Sequence, residues 1–117
     1  MTIDHYSTAT AMLNALSMKE ISSTELTEMH IARIHEQDEK LNAIAVKTFD
    51  RARAEAIAAD KALAEGRSTA LPGLPMTLKE STQTKGLPQS TGILWPLPRR
   101  SNNASIRTIA GKRVACF

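Results

Sequence analysis

Three segments with helical periodicity, followed by a short segment with the alternation of a strand, predict an α/β chain. A second strand-like run, Ala43-Ile44-Ala45-Val46, lies between the helical segments, bounded by Asn42 and Thr48. The 117 residues make one domain at most, with a core built from Ala, Leu, Ile and Met. The aromatics are only Tyr6, Phe49, Trp95 and Phe117.

The elements follow in order. Near 7–18, Ala11, Met12, Ala15 and Leu16 recur at three- and four-residue spacings, the stripe of a short amphipathic helix. Ser22-Ser23-Thr24-Glu25 is a capping box: the Ser22 hydroxyl and the Glu25 carboxylate each take a free amide of the other. The helix it opens, about 23–38, carries Leu26, Met29, Ile31 and Ile34 on a broad apolar face. Asp50 is expected to cap an Ala-rich helix running to Gly66, with Ala52, Ala56, Ala59 and Leu63 as a smooth stripe. After the turn at Pro72-Gly73, Leu74, Met76 and Leu78 alternate with Pro75, Thr77 and Lys79. That period of two sends Thr77 and Lys79 to the face opposite the leucines. The segment Lys85–Gly92 then reads as a turn-rich loop of small polar residues. A lysine at a strand's end beside such a loop fits an active-site edge; taken alone, it fits an ordinary surface lysine better.

Composition narrows the function classes. Apolar residues make up 42% and charged residues 23%, the balance of a globular chain. No apolar run approaches the roughly 20 residues of a membrane span, and the N-terminus lacks the pattern of a secretory signal. One cysteine, Cys116, allows neither an internal disulfide nor a cysteine metal cluster, and a cytoplasmic location is expected. His30 and His35 stand about 140° apart on a helix and so do not converge on a metal. The net charge of +3 is unevenly spread. Every acid lies within residues 1–80, whereas residues 81–117 carry six Lys and Arg and no acid.

Several motifs together resemble the opening of the amidase signature family: Ile21-Ser22-Ser23-Thr24-Glu25-Leu26, Ala32-Arg33-Ile34, Leu41-Asn42-Ala43, Ala58-Ala59-Asp60, Leu71-Pro72-Gly73-Leu74-Pro75-Met76-Thr77-Leu78-Lys79-Glu80-Ser81 and Gly86-Leu87-Pro88. They stand in the family's order from about residue 9 to 92. The resemblance implies the N-terminal helices and first strands of the family's mixed-sheet domain, incomplete here. It implies hydrolysis of a carboxamide C–N bond by Ser–Ser–Lys acyl transfer, on a small-molecule amide and with no cofactor or metal. On the matching position Lys79 is the base. A lysine accepts a proton only when neutral, and burial away from water favours that form.

The family's bridging serine, nucleophilic serine and Gly/Ser-rich oxyanion loop lie further along than this sequence matches. No Gly-Gly-Ser-Ser-Gly-Gly stretch occurs in the 117 residues. No nucleophile in the chain is therefore assigned, its substrate-binding residues stay unknown, and Lys79 is expected to be idle in this polypeptide alone. The expected division is 1–92, the N-terminal part of an amidase domain, and 93–117, a basic tail that departs from the family as a reading-frame shift would make it. Neither Gly111-Lys112 nor Asn103-Ala104-Ser105 carries a function in that reading. Self-association through helix faces left partly exposed is also expected of such a fragment. Two other classes compete: a non-catalytic interaction or scaffold fragment whose Ala-rich helices bind a partner, and a basic nucleic-acid-binding peptide. The second has one tail aromatic before its last residue and no recognisable module to support it.

Overall fold

A computed structural model of the chain describes residues 2–67, 71–79, 82, 86–89, 99–100 and 115–116. Among these residues, three helices precede four two-residue strands: α1 Ala9–Ser17, α2 Ser23–Leu41, α3 Phe49–Ala64, β1 Pro75–Met76, β2 Pro88–Gln89, β3 Arg99–Arg100 and β4 Ala115–Cys116. The strands form two separate pairs. β1 runs parallel to β4 with Pro75 opposite Ala115, and β2 runs antiparallel to β3 with Pro88 opposite Arg100. The α/β class holds, as a helical layer with the beginnings of a sheet. The rest of the predicted loop and basic tail, including Trp95, Asn103-Ala104-Ser105 and Gly111-Lys112, lies outside the described residues.

Each helix has a physical start and stop. Thr8 opens α1, its hydroxyl accepting the Ala11 amide at 3.2 Å. Lys19, at φ 59°, closes α1 by reversing the chain, with Lys19 N–H donating to Leu16 O and Glu20 N–H to Ala15 O. The same pair of bonds closes α3 around Gly66, at φ 70°, from Gly66 N–H to Leu63 O and Arg67 N–H to Ala62 O. The predicted stop at Gly66 is thus in place. The predicted start is not: Thr48 occupies the cap position, and Asp50 sits inside the first turn. A carboxylate there complements the positive helix end without capping an amide.

The run 43–46 is not a strand. α2 continues to Leu41 and ends at Asn42 in the left-handed conformation, φ 49°. Asp38, only 5% exposed, then takes the amides that a ladder would have used. Its Oδ1 accepts Ala43 N–H at 2.7 Å and Ile44 N–H at 3.1 Å, while Oδ2 pairs with Lys47 Nζ at 2.8 Å. The segment wraps a carboxylate instead of extending.

The core forms where α1, α2 and the start of β1 converge. Met12, Leu16, Leu26 and Leu74 are buried together, flanked by Ile21, Met29 and Leu71. A second cluster joins Ile31 of α2 to Ala52 of α3, with Ile34 and Phe49 beside it. Ala52, Ala56, Ala59 and Ala62 are all buried, so Ala62 and not Leu63 completes the α3 stripe. Small side chains at those positions let the two helix backbones approach closely, and Arg53 ties the exposed edge to Glu28 at 2.5 Å and 3.1 Å. Of the two predicted stripes, Leu26, Ile31, Ala52, Ala56 and Ala59 are buried, whereas Met29, Ile34 and Leu63 are half-buried. Among the described residues, the large apolar side chains left open are Tyr6, Met18, Leu41, Val46 and Ile57.

Candidate active site

Lys79 ends the segment that leaves the core through β1. Along it, Leu74 is buried and Met76 and Leu78 are half-buried, while Thr77 and Lys79 are exposed. This is the alternation the sequence predicts, although regular pairing covers only Pro75–Met76. Pro75 has no N–H to give to a ladder, which limits β1 at its start. Beyond it, Lys79 O accepts the Thr82 N–H at 2.9 Å.

A buried knot fixes where this segment begins. Gly73 has φ 70°, and the Ser23 hydroxyl donates to its carbonyl at 2.7 Å. A Cβ at Gly73 would stand 2.5 Å from Ser23 Oγ and 3.1 Å from the Ala59 Cβ, so only glycine fits. Ser23 is itself held by α3. Asp60 Oδ1 accepts the Ser23 N–H at 2.6 Å, and Oδ2 accepts the Thr24 N–H at 3.0 Å and the Thr24 hydroxyl at 2.6 Å. The local capping box is also present: Ser22 Oγ accepts Glu25 N–H at 3.1 Å, and Glu25 Oε2 accepts Ser22 N–H at 2.9 Å. That amide and the Ser22 hydroxyl hold the Glu25 carboxyl below its ordinary range. The free amides at the start of α2 are thus shared among the Ser22 hydroxyl, the Glu25 carboxylate and the distant Asp60 carboxylate.

A shallow cleft of about 380 Å³ runs beside β1, lined by His5, Tyr6, His30, Arg33, Met76 and Thr77 among others. Three of its polar side chains, His30, Arg33 and Tyr6, are already engaged. His30 Nδ1 lies 2.8 Å from Leu26 O, and Arg33 donates to the Tyr6 hydroxyl at 3.2 Å while bonding Glu36. His35 instead stacks edge-on against Phe49, so the two α2 histidines have separate surroundings. Among the described residues no group of three His, Cys, Asp or Glu side chains converges to hold a metal ion.

Sequence reasoning places Lys79 on the right face but misses Ser23, Asp60 and Gly73 as a unit. Its one visible signal is Asp60, a carboxylate beside the small-residue stripe of α3. Nothing local says that it reaches back 36 and 37 residues to α2. Lys79 is open to water among the described residues, whereas base catalysis by an amine needs a drier surrounding.

A family model described as Amidase matches residues 25–106, a span that contains Lys79 and continues past Gly92. Among relatives, the chain is 40% identical over 88 residues to a glutamyl-tRNA(Gln) amidotransferase subunit from Methylococcus capsulatus, covering 75% of this chain and 18% of that one. It is 46% identical over 78 residues to the corresponding subunit from Anaeromyxobacter dehalogenans, covering 66% and 16%. The chain thus spans less than a fifth of these relatives' length. In fold it resembles a bacterial aryl acylamidase of the amidase signature enzymes, with TM-score 0.81 and 23% identity over 97% of this chain and 24% of that one. A protein from a vestigial complex related to an s-triazine catabolic enzyme aligns with TM-score 0.83 and 24% identity, covering 94% and 25%. No helix among the described residues is long and apolar enough to cross a membrane. With the family model spanning most of its length and the same fold in a member enzyme, the chain belongs to the amidase signature family.

Proposed function

We propose that Lys79 supplies the base of an amide-cleaving site whose nucleophile and oxyanion donors lie outside these 117 residues. The observation that carries this reading is the placement of Lys79. It stands on the exposed side of an alternating segment anchored in the core at Leu74, and its carbonyl accepts the Thr82 amide. In the reaction, a serine oxygen forms a bond to the carboxamide carbon, and its proton passes through a bridging serine to the Lys79 amine. The C–N bond then breaks, and the leaving amine takes that proton. Water attacks the acyl-enzyme by the same route in reverse and frees the acid. The substrate class is a small carboxamide, and the 117 residues alone do not turn it over.

Two measurements test this. The chain by itself is expected to show no hydrolysis of simple aliphatic or aromatic amides; turnover that vanishes in Lys79→Ala would mean it completes its own site. Residues 1–92 joined to the remainder of the Methylococcus capsulatus relative should support amide cleavage, and Lys79→Ala should lower it by at least about 10²-fold, the usual weight of a positioned base. A chimera that works equally well with Lys79→Ala refutes the assignment.

A further inference from the structure

We propose that Ser23, Asp60 and Gly73 are positioning residues that set the place and direction of the segment carrying Lys79. This inference rests on the reading of Lys79 as the base, and it concerns geometry upstream of the chemistry. Ser23 lies within the first turn of α2, where a serine ordinarily faces solvent or its own helix. Here it is fully buried, and its hydroxyl crosses 50 residues of sequence to reach the Gly73 carbonyl. Gly73 must approach that closely, because no Cβ fits between Ser23 and Ala59. Asp60, next to Ala59 on α3, grips the Ser23 amide and so fixes the backbone from which the hydroxyl projects. Two helices therefore clamp one carbonyl at the point where the chain leaves for β1.

The lever is short and stiff. Leu74 follows the clamp directly and enters the core beside Leu16 and Leu26. β1 follows at Pro75–Met76, paired with Ala115–Cys116. From Gly73 to Lys79, six extended residues span at most about 20 Å, so a rotation of about 10° at Gly73 would carry the lysine about 3 Å. Catalytic groups lose on the order of 10²-fold in rate for a misplacement near 1 Å. A hydrogen-bonded carbonyl and a Cβ-free backbone at the pivot are what such a tolerance requires. The cleft beside β1 and the open side chains have no comparable convergence.

The test reads order along the chain and needs no activity. In the ¹⁵N-labelled full chain, exchange of the Thr82 amide, bonded to Lys79 O, and the backbone shifts of Thr77, Leu78 and Lys79 report on the segment. Ser23→Ala should speed exchange at Thr82 by about tenfold beyond any change at Ala56 and Ala59 of α3, and should move the Thr77–Lys79 shifts. Ser22→Ala, which removes only the local cap, should affect the first turn of α2 and leave the segment unmoved. Should Ser23→Ala fail to fold, the isosteric Asp60→Asn gives the same comparison with the same expected pattern. Uniform loss of protection across α3 and the segment, or an unchanged segment, overturns the proposal. Failure of Lys79 as base would instead show only in the chimera.

Discussion

Gly73→Ala is the sharpest perturbation of this chain, because a control glycine shares its backbone conformation. Gly73 and Gly66 both have φ 70°, but a Cβ at Gly66 meets nothing within 4 Å, whereas one at Gly73 would stand 2.5 Å from Ser23 Oγ. Alanine in the left-handed region costs about 1–2 kcal/mol at either site. At Gly73 the methyl must also displace buried Ser23, an overpacking that adds about 1–3 kcal/mol. The displaced hydroxyl leaves the Gly73 carbonyl without its bond, worth a further ~1 kcal/mol. Gly73→Ala should therefore destabilise the chain by about 2–4 kcal/mol more than Gly66→Ala, a large part of the 5–15 kcal/mol that folded domains typically possess. Urea unfolding of both variants, followed by circular dichroism, reads the difference directly. Equal losses would show that conformation alone governs both glycines and that the contact among Ser23, Ala59 and Gly73 carries no weight.

Thr27 and Asp38 give two further expectations. Thr27 is fully buried and its hydroxyl has no partner among the described residues, so Thr27→Val should be neutral or stabilising by up to about 1 kcal/mol in the same urea assay; a loss above about 1 kcal/mol would mean the hydroxyl is satisfied in solution. The Asp38 carboxyl is held below its ordinary range, first by the Lys47 ammonium and then, against the opposing effect of burial, by the Ala43 and Ile44 amides. A carboxyl depressed in the folded state contributes stability that is complete above the unfolded value near 3.9 and is lost as pH falls through the folded one. Unfolding midpoints should thus drop between pH 5 and the acid limit, and Asp38→Asn should flatten part of that drop; an unchanged slope would remove Asp38 from the account.

Much of this architecture is legible from local chemistry. The box at Ser22 and Glu25, the stop at Gly66 and the alternation from Leu74 to Lys79 all depend on residues within a few positions of one another, and the structure keeps each of them. What sequence reasoning misses involves choice among partners. Ala43–Val46 has the composition of a strand, but Asp38 reaches its amides first. Asp50 has the chemistry of a cap, yet the chain enters α3 two residues earlier, at Thr48. Lys19 takes the left-handed position that glycine fills at the end of α3, and no propensity singles it out. At the candidate site, the position of Lys79 is readable from its period, whereas the Ser23–Asp60–Gly73 knot is a tertiary contact of 37 and 50 residues.

The two carboxylates at the start of α2 also impose an order of events. Glu25 closes its box over three residues, while Asp60 must close a loop of 36 or 37. On loop-closure entropy alone, the longer contact is about 2 kcal/mol harder to form. The near cap can therefore assemble in a chain that is still open, whereas the far one waits until α3 has docked. Ser22→Ala should then slow folding, and Asp60→Asn should mainly hasten unfolding, a division that stopped-flow kinetics can measure. Nucleation of α2 is a local matter, and its retention belongs to α3, so the segment bearing Lys79 is secured only once α3 has docked.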